Sequence, residues 1–410
     1  MAHEDSPRPL TVSVVGAGIG GLAAAVALQI GAGIGVQVNA LRVLEHLGAS
    51  RENLKGVSYE GITIFDSKTG EGVARRWLLP DMDQNRSLSC HRSDVHDELM
   101  RLAVGEGEGH PIELRLGSRV VDCSPEDGTV TLEGGQVIQA DLVIGADGLH
   151  STIRTTVLGH PQKATASGFS CFRSVIDASK LRDISDTDWF TGGLPGMKSL
   201  YDKEGDYRLA VMYLCRGGSL INLVALYSDP HQDDPGQHRL IILTVPTSKG
   251  QYFAGWSPVG TREELLQTFQ TFHPKFVELF SLADSPILRW QLRVLPVLDT
   301  WIRGRAALLG DAAHATLPTL GQGAAAAIEE AGALGCLLPL GTRREDVPSR
   351  LEAYQAVRKP RGDYINREAL EQAIDPSKRG LYLRSLEVQT YLLGHNAIRD
   401  AQEYYEKHFK

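Results

Sequence analysis

The chain has 410 residues, with 42 Lys plus Arg against 50 Asp plus Glu, a net charge of −8, and 42% hydrophobic and 22% charged residues. That is the composition of a globular chain with roughly two or three domains, and it excludes a disordered chain and a small disulfide scaffold. No stretch concentrates basic residues among aromatics, so nucleic acid is not an expected partner.

Five cysteines, Cys90, Cys123, Cys171, Cys215 and Cys336, are widely spaced, odd in number and form no CxxC pair, so neither a metal centre nor a disulfide framework is expected. The start MAHEDSPRPL lacks the basic and apolar segments of a signal peptide, and no apolar run is long enough for a membrane span. A cytoplasmic protein is expected.

In chain order, Leu10 to Val15 reads as a strand that runs into Gly16-Ala17-Gly18-Ile19-Gly20-Gly21, and Leu22 to Leu28 as an alanine-rich helix. Asn39 to Leu47 reads as an amphipathic helix with Leu41, Leu44 and Leu47 on its apolar side and a solvated Glu45. Two further apolar strands, Ala140 to Ile144 and Ala306 to Leu309, each end in glycine, at Gly145 and Gly310. Between roughly 156 and 290, Tyr207 to Arg216, Leu220 to Tyr227, Leu240 to Val245 and Gln251 to Trp256 predict a mostly antiparallel sheet. Arg262 to Leu282 predicts a surface helix, and the chain after about Glu345 predicts helix to its end.

GxGxxG at Gly16, Gly18 and Gly21 follows a strand and opens a helix. The first glycine makes the turn, the second lets backbone approach a pyrophosphate, and the third allows close helix packing. Asp147 and Gly148, and Gly310 and Asp311, put a carboxylate beside a glycine at two other strand ends, where ligands of open α/β sheets bind. Taken singly, these aspartates also read as a turn residue and a helix cap. Gly321, Gln322 and Gly323 supply a further helix N-terminus.

With these motifs on the page, the chain resembles the single-component FAD-dependent aromatic hydroxylases, in the salicylate-hydroxylase-like branch that includes fungal secondary-metabolite monooxygenases. The resemblance runs from Val12 to about Arg361 and implies an α/β fold. It implies an FAD-binding Rossmann-like domain of the glutathione-reductase type over 1–155 and 290–365, an inserted, mostly antiparallel β-sheet substrate domain over 156–289, and a helical C-terminal tail over 366–410. It implies that Gly16 to Gly21 lie against the FAD pyrophosphate, that Asp147 and Gly148 serve flavin and nicotinamide, and that Asp311 bonds the ribityl chain. Arg92 resembles the FAD-contacting arginine, Gly321, Gly323 and Ala324 the loop beside the isoalloxazine, and Tyr354 with Arg358, Pro360 and Arg361 the tail of the FAD domain.

In the sheet domain, Arg173 and Tyr213 resemble substrate-domain signatures and are the candidate catalytic residues, with Phe190 and Trp256 as candidate pocket walls. A salt-bridged arginine and a core tyrosine are the competing readings. His314 reads as a buried, hydrogen-bonded histidine. The resemblance implies FAD, NAD(P)H as co-substrate, O2, and a small aromatic substrate hydroxylated through a flavin hydroperoxide. With one GxGxxG, nicotinamide would dock transiently, with Asp147 and Arg154 as candidates.

One element is missing. A dinucleotide-binding βαβ unit spans about 30 residues, with an acid roughly 20 beyond the glycines for the ribose hydroxyls. No Asp or Glu stands between Gly21 and Glu45. In the family a GAGI segment such as Gly31 to Ile34, with Ala32, follows the second strand and its acid. The sequence therefore reads as lacking that strand, roughly 20 to 25 residues, between Gln29 and Gly31. The rival reading makes Gly35 to Val38 a short second strand, with Asn39 in place of the acid.

Three functions stay open: a monooxygenase, an FAD-impaired relative or altered gene model, and a flavin reductase or dehydrogenase of the same superfamily.

Overall fold

The structure, a computed structural model, describes residues 8–28, 37–79, 87–105, 112–202, 206–229, 259–285, 287–375, 377–378 and 385–410. Ala32, the junction at Gln29 to Gly31, Trp256 and the expected strands Leu240 to Val245 and Gln251 to Trp256 lie outside them.

Two compact units form, one of Met1–Gly56, Leu78–Thr165 and Val294–Lys410, the other of Val57–Trp77 and Ala166–Arg293. Beyond small shifts of its boundaries, this division differs from the expected one in two places. Strand Gly61–Asp66 pairs in parallel with Gly196–Tyr201, which carries 57–77 into the sheet unit. Residues 366–410 are no separate tail: Arg42 donates to the carbonyls of Leu393 and His395, and Arg361 to those of Tyr391 and Leu392.

In the first unit, β1 (Val12–Val15) leads into α1 (Ile19–Ala27), followed by α2 (Val38–His46) and α3 (Arg92–Val104). Next come β2 (Leu142–Gly145), α4 (Thr152–Leu158), β3 (Ala306–Leu308) and α5 (Gly323–Leu337). The 28-residue α6 (Val347–Ile374), α7 (Leu386–Leu393) and α8 (Ala397–Phe409) complete it. The strands β1, β2 and β3 are parallel and adjacent, with Val15 opposite Gly145 and Gly145 opposite Leu308. This register brings the three glycine-bearing turns out level, at one end of the sheet. Small residues let the helices close on the strands: a Cβ at Gly20 would stand 2.6 Å from the Leu309 side chain. Among the described residues β1 is paired on one side only, by β2.

The second unit is an eight-stranded mixed sheet with one helical face. Strands Thr165–Asp177, Leu220–Ser228, Arg208–Cys215 and Gly196–Tyr201 are neighbours in that order, all antiparallel. Phe172, Ala225, Ala210 and Leu200 share one face and are buried with Phe269, Phe276 and Phe280. The expected single helix Arg262 to Leu282 is two, Arg262–Thr268 and Pro274–Ser281. Pro274 cannot continue a helix but suits a first turn, and His273 caps it.

Candidate active site

At the end of β1 the backbone is built for close approach. Gly16 has φ +110°, and a Cβ there would stand 2.4 Å from the Ala146 carbonyl oxygen. A Cβ at Gly21 would stand 1.8 Å from the Gly16 oxygen, whereas one at Gly18 would meet nothing within 4 Å. So Gly16 and Gly21 are required by packing, and the open side of the turn is at Gly18. Gly18 is also the N-cap of α1, with no capping side chain and no acid in the first turn. Unspent N–H groups, a positive helix end and free space are what an anionic diphosphate needs, so these residues fit the FAD pyrophosphate.

The neighbouring turns are equally defined. The Asp147 carboxylate accepts the Ser151 hydroxyl at 2.5 Å and the N–H groups of Thr152 and Ile153 at 2.7 and 3.2 Å, so it caps α4. Gly148, at φ +74°, has open space where a side chain would stand. Arg154 is buried and donates to the carbonyls of Gln162, Ala312 and Leu149 at 2.8, 3.1 and 2.7 Å. Its guanidinium braces two turns, and this corrects its expected role in docking nicotinamide.

Gly310, at φ +64°, precedes the exposed Asp311. Arg92 lies one helical turn before His96, on one side of α3, and His96 Nε2 stands 3.1 Å from the Ala17 carbonyl. Gly321, at φ +63°, and Gln322 lead into α5 at Gly323 and Ala324.

Asn39 is tied to α5 through its amide nitrogen, while its Oδ1 has no partner among the described residues. It is fully buried, and its Nδ2 donates to Gln322 Oε1 at 3.0 Å and to Glu329 Oε1 at 2.7 Å. Glu329 also receives Arg358 at 2.5 Å and a fork from Arg361 at 2.7 and 2.8 Å. Burial would raise the Glu329 pKa, and Arg361, Arg358 and His395 hold it well below the usual carboxylate range. His395 accepts from Arg358 at 2.7 Å and is pushed down to about 4, chiefly by burial. Glu45 is exposed and paired with Arg51, as its place on α2 implied.

Sequence reasoning missed Glu329 and Glu330. Both sit in an alanine-rich helix, and two adjacent acids read as solvated, yet both are fully buried. The signal available was their fixed distance from the glycine turn that starts α5.

In the second unit, strand register settles which residues share a face. Arg173 stands opposite Val224, Val224 opposite Val211, and Tyr213 two residues beyond Val211. Arg173 and Tyr213 therefore occupy one face, the one turned away from the phenylalanine-rich core. The Arg173 guanidinium lies 5.8 Å from the ring of Trp290, itself 41% exposed. Phe190, expected to line an aromatic pocket, is buried in that core instead.

A model of the FAD binding domain matches residues 251–369. Hispidin-3-hydroxylase of Neonothopanus nambi is 36% identical over an alignment of 435 positions that covers 97% of this chain and 96% of that protein. That alignment is longer than this chain, so the relative has residues with no counterpart here. Salicylate hydroxylase of Pseudomonas putida is 28% identical, covering 90% and 86%. A solved salicylate hydroxylase substrate complex superposes with a TM-score of 0.73 at 26% identity, covering 98% of each chain. No helix among the described residues is long and apolar enough to cross a membrane. The chain belongs to the salicylate-hydroxylase-like FAD-dependent aromatic hydroxylases.

Proposed function

We propose that the chain is an NAD(P)H-dependent monooxygenase that places one oxygen atom of O2 on the ring of a phenolic small molecule, in secondary-metabolite biosynthesis. The observation that carries this reading is one sheet face holding both a cation, Arg173, and a phenol, Tyr213. Two relatives named as hydroxylases, one of hispidin and one of salicylate, support the substrate class.

In this reading Gly16, Gly18 and Gly21 with the first turn of α1 hold the pyrophosphate, and Arg92 and Asp311 hold further FAD atoms. Gly321, Gly323 and Ala324 shape the loop for the ring system, and Ala32 is a further FAD-binding candidate. Asp147 acts through the turn it fixes, leaving Gly148 as the open approach. Bound FAD, reduced by NAD(P)H, supplies the redox chemistry that activates O2. Arg173 favours the phenolate form of the substrate, because a cation near an ionisable oxygen lowers its pKa. Phenolate is the electron-rich form that such hydroxylation needs. Tyr213 donates its hydroxyl to a substrate oxygen and sets the ring's orientation.

The first test is the visible spectrum of protein incubated with FAD and freed of excess, followed by NAD(P)H oxidation with a phenol panel. Retained flavin bands and substrate-stimulated oxidation are expected. Flavin-loaded protein that ignores every phenol rejects the reading. A second reading is an FAD-impaired relative, motivated by the stretch between Gly21 and Glu45 that holds no Asp or Glu. Protein that stays colourless with added FAD would establish it.

A further inference from the structure

Between Arg173 and Tyr213 stands a third polar side chain. Asn222 lies on the strand between theirs, directly opposite Tyr213 and two residues from Val224, the partner of Arg173. Its chain neighbours Ile221 and Leu223 are buried in the core, so the side chain of Asn222 belongs to the face of Arg173 and Tyr213. The Asn222 Nδ2 is shielded from water and has no hydrogen-bond partner among the described residues. An unpaired buried amide costs stability, and a native protein that retains one invites a functional explanation.

We propose that Asn222 is a substrate-orienting donor: its amide binds a second oxygen substituent of the ring whose phenolate oxygen Arg173 binds. This rests on the phenolic reading above and narrows it to rings with two oxygens. Diagonal neighbours on adjacent antiparallel strands stand about 7 to 8 Å apart at their α-carbons, a spacing that two donors bridge through one aromatic ring. Trp290, against the Arg173 guanidinium, adds an aromatic wall on the same side.

The test is calorimetric titration of the full chain and of Asn222→Leu with matched aromatics: phenol and resorcinol, salicylate and β-resorcylate, coumarate and caffeate. The native chain should favour the ring with the additional oxygen. Asn222→Leu should lose that preference by about fivefold or more while melting no lower than the native chain, since an apolar group of similar size removes an orphaned amide. Leucine protein that melts lower would assign the amide to the fold and overturn the proposal. Equal preference in both proteins would overturn it while leaving the phenolic reading intact. Failure of the native chain to bind any aromatic would overturn both.

Discussion

Glu330 Oε2 accepts the backbone N–H of Gly310 at 2.8 Å, so a buried carboxylate of α5 holds the turn that presents Asp311. Its other oxygen faces His314 Nε2 at 2.7 Å. Burial pulls the His314 imidazole down, and Glu330 more than offsets it, raising the pKa above the ordinary 6.5. The pair therefore stabilises the fold fully below about pH 6.5, and that contribution is lost as pH rises through the folded value. Glu330→Gln should destabilise by about 3 to 5 kcal/mol. It should also flatten the fall of melting temperature above pH 6.5. Melting curves across pH check both, and an unchanged slope in the glutamine protein would refute the assignment.

Gly18 and Gly21 should respond oppositely to the same change. Gly21→Ala forces a Cβ to 1.8 Å from the Gly16 oxygen and should prevent folding or lower the melting temperature sharply. Gly18→Ala meets nothing and should leave the apoprotein's melting temperature near the native value, while FAD affinity drops tenfold or more, on the order of 1.4 kcal/mol. Thermal melts of both apoproteins and fluorescence titration with FAD separate the two effects. Equal FAD affinity in the Gly18 protein would place the diphosphate elsewhere.

Arg361 joins the Glu329 carboxylate to the carbonyls of Tyr391 and Leu392. A lysine keeps the charge but cannot reproduce the planar fork, so Arg361→Lys should cost about 1.5 to 3 kcal/mol. The loss should concentrate where α7 joins the unit. Limited proteolysis should cut the lysine protein between α6 and α8 well before the native chain, and identical digestion would show that the fork does not anchor this segment.

The reading that a strand is lacking after Gln29 has its own test. Inserting a strand of family type with a terminal glutamate between Gln29 and Gly31 should tighten FAD binding, since the ribose would regain an acceptor. Dialysis against graded FAD measures it. No gain would mean that the chain holds the adenosine by other groups.

Much of this was legible because local rules and global fold agree. Each glycine turn follows a short apolar strand, and the parallel register then aligns the three turns, which spacing alone does not reveal. What escaped the sequence were residues whose role depends on distant partners. Glu329 and Glu330 look solvated in one dimension and are fully buried in three, because Arg358, Arg361, Asn39, His314 and Gly310 arrive from other segments. Arg154 looked like a ligand and is spent on three carbonyls. Phe190 looked like a pocket wall and packs in a core, since aromatic character does not specify a face. Asn222 gave no signal at all, for its meaning lies in the two strands beside it.

The most direct measurement is made under isotopically labelled O2. FAD-loaded protein, supplied with NAD(P)H and the phenolic compound that most stimulates its oxidation, should yield a hydroxylated product carrying one labelled oxygen, and turnover should stop without O2. Flavin-loaded protein that anaerobically oxidises many equivalents of NAD(P)H per flavin, or forms product without label, would contradict the account.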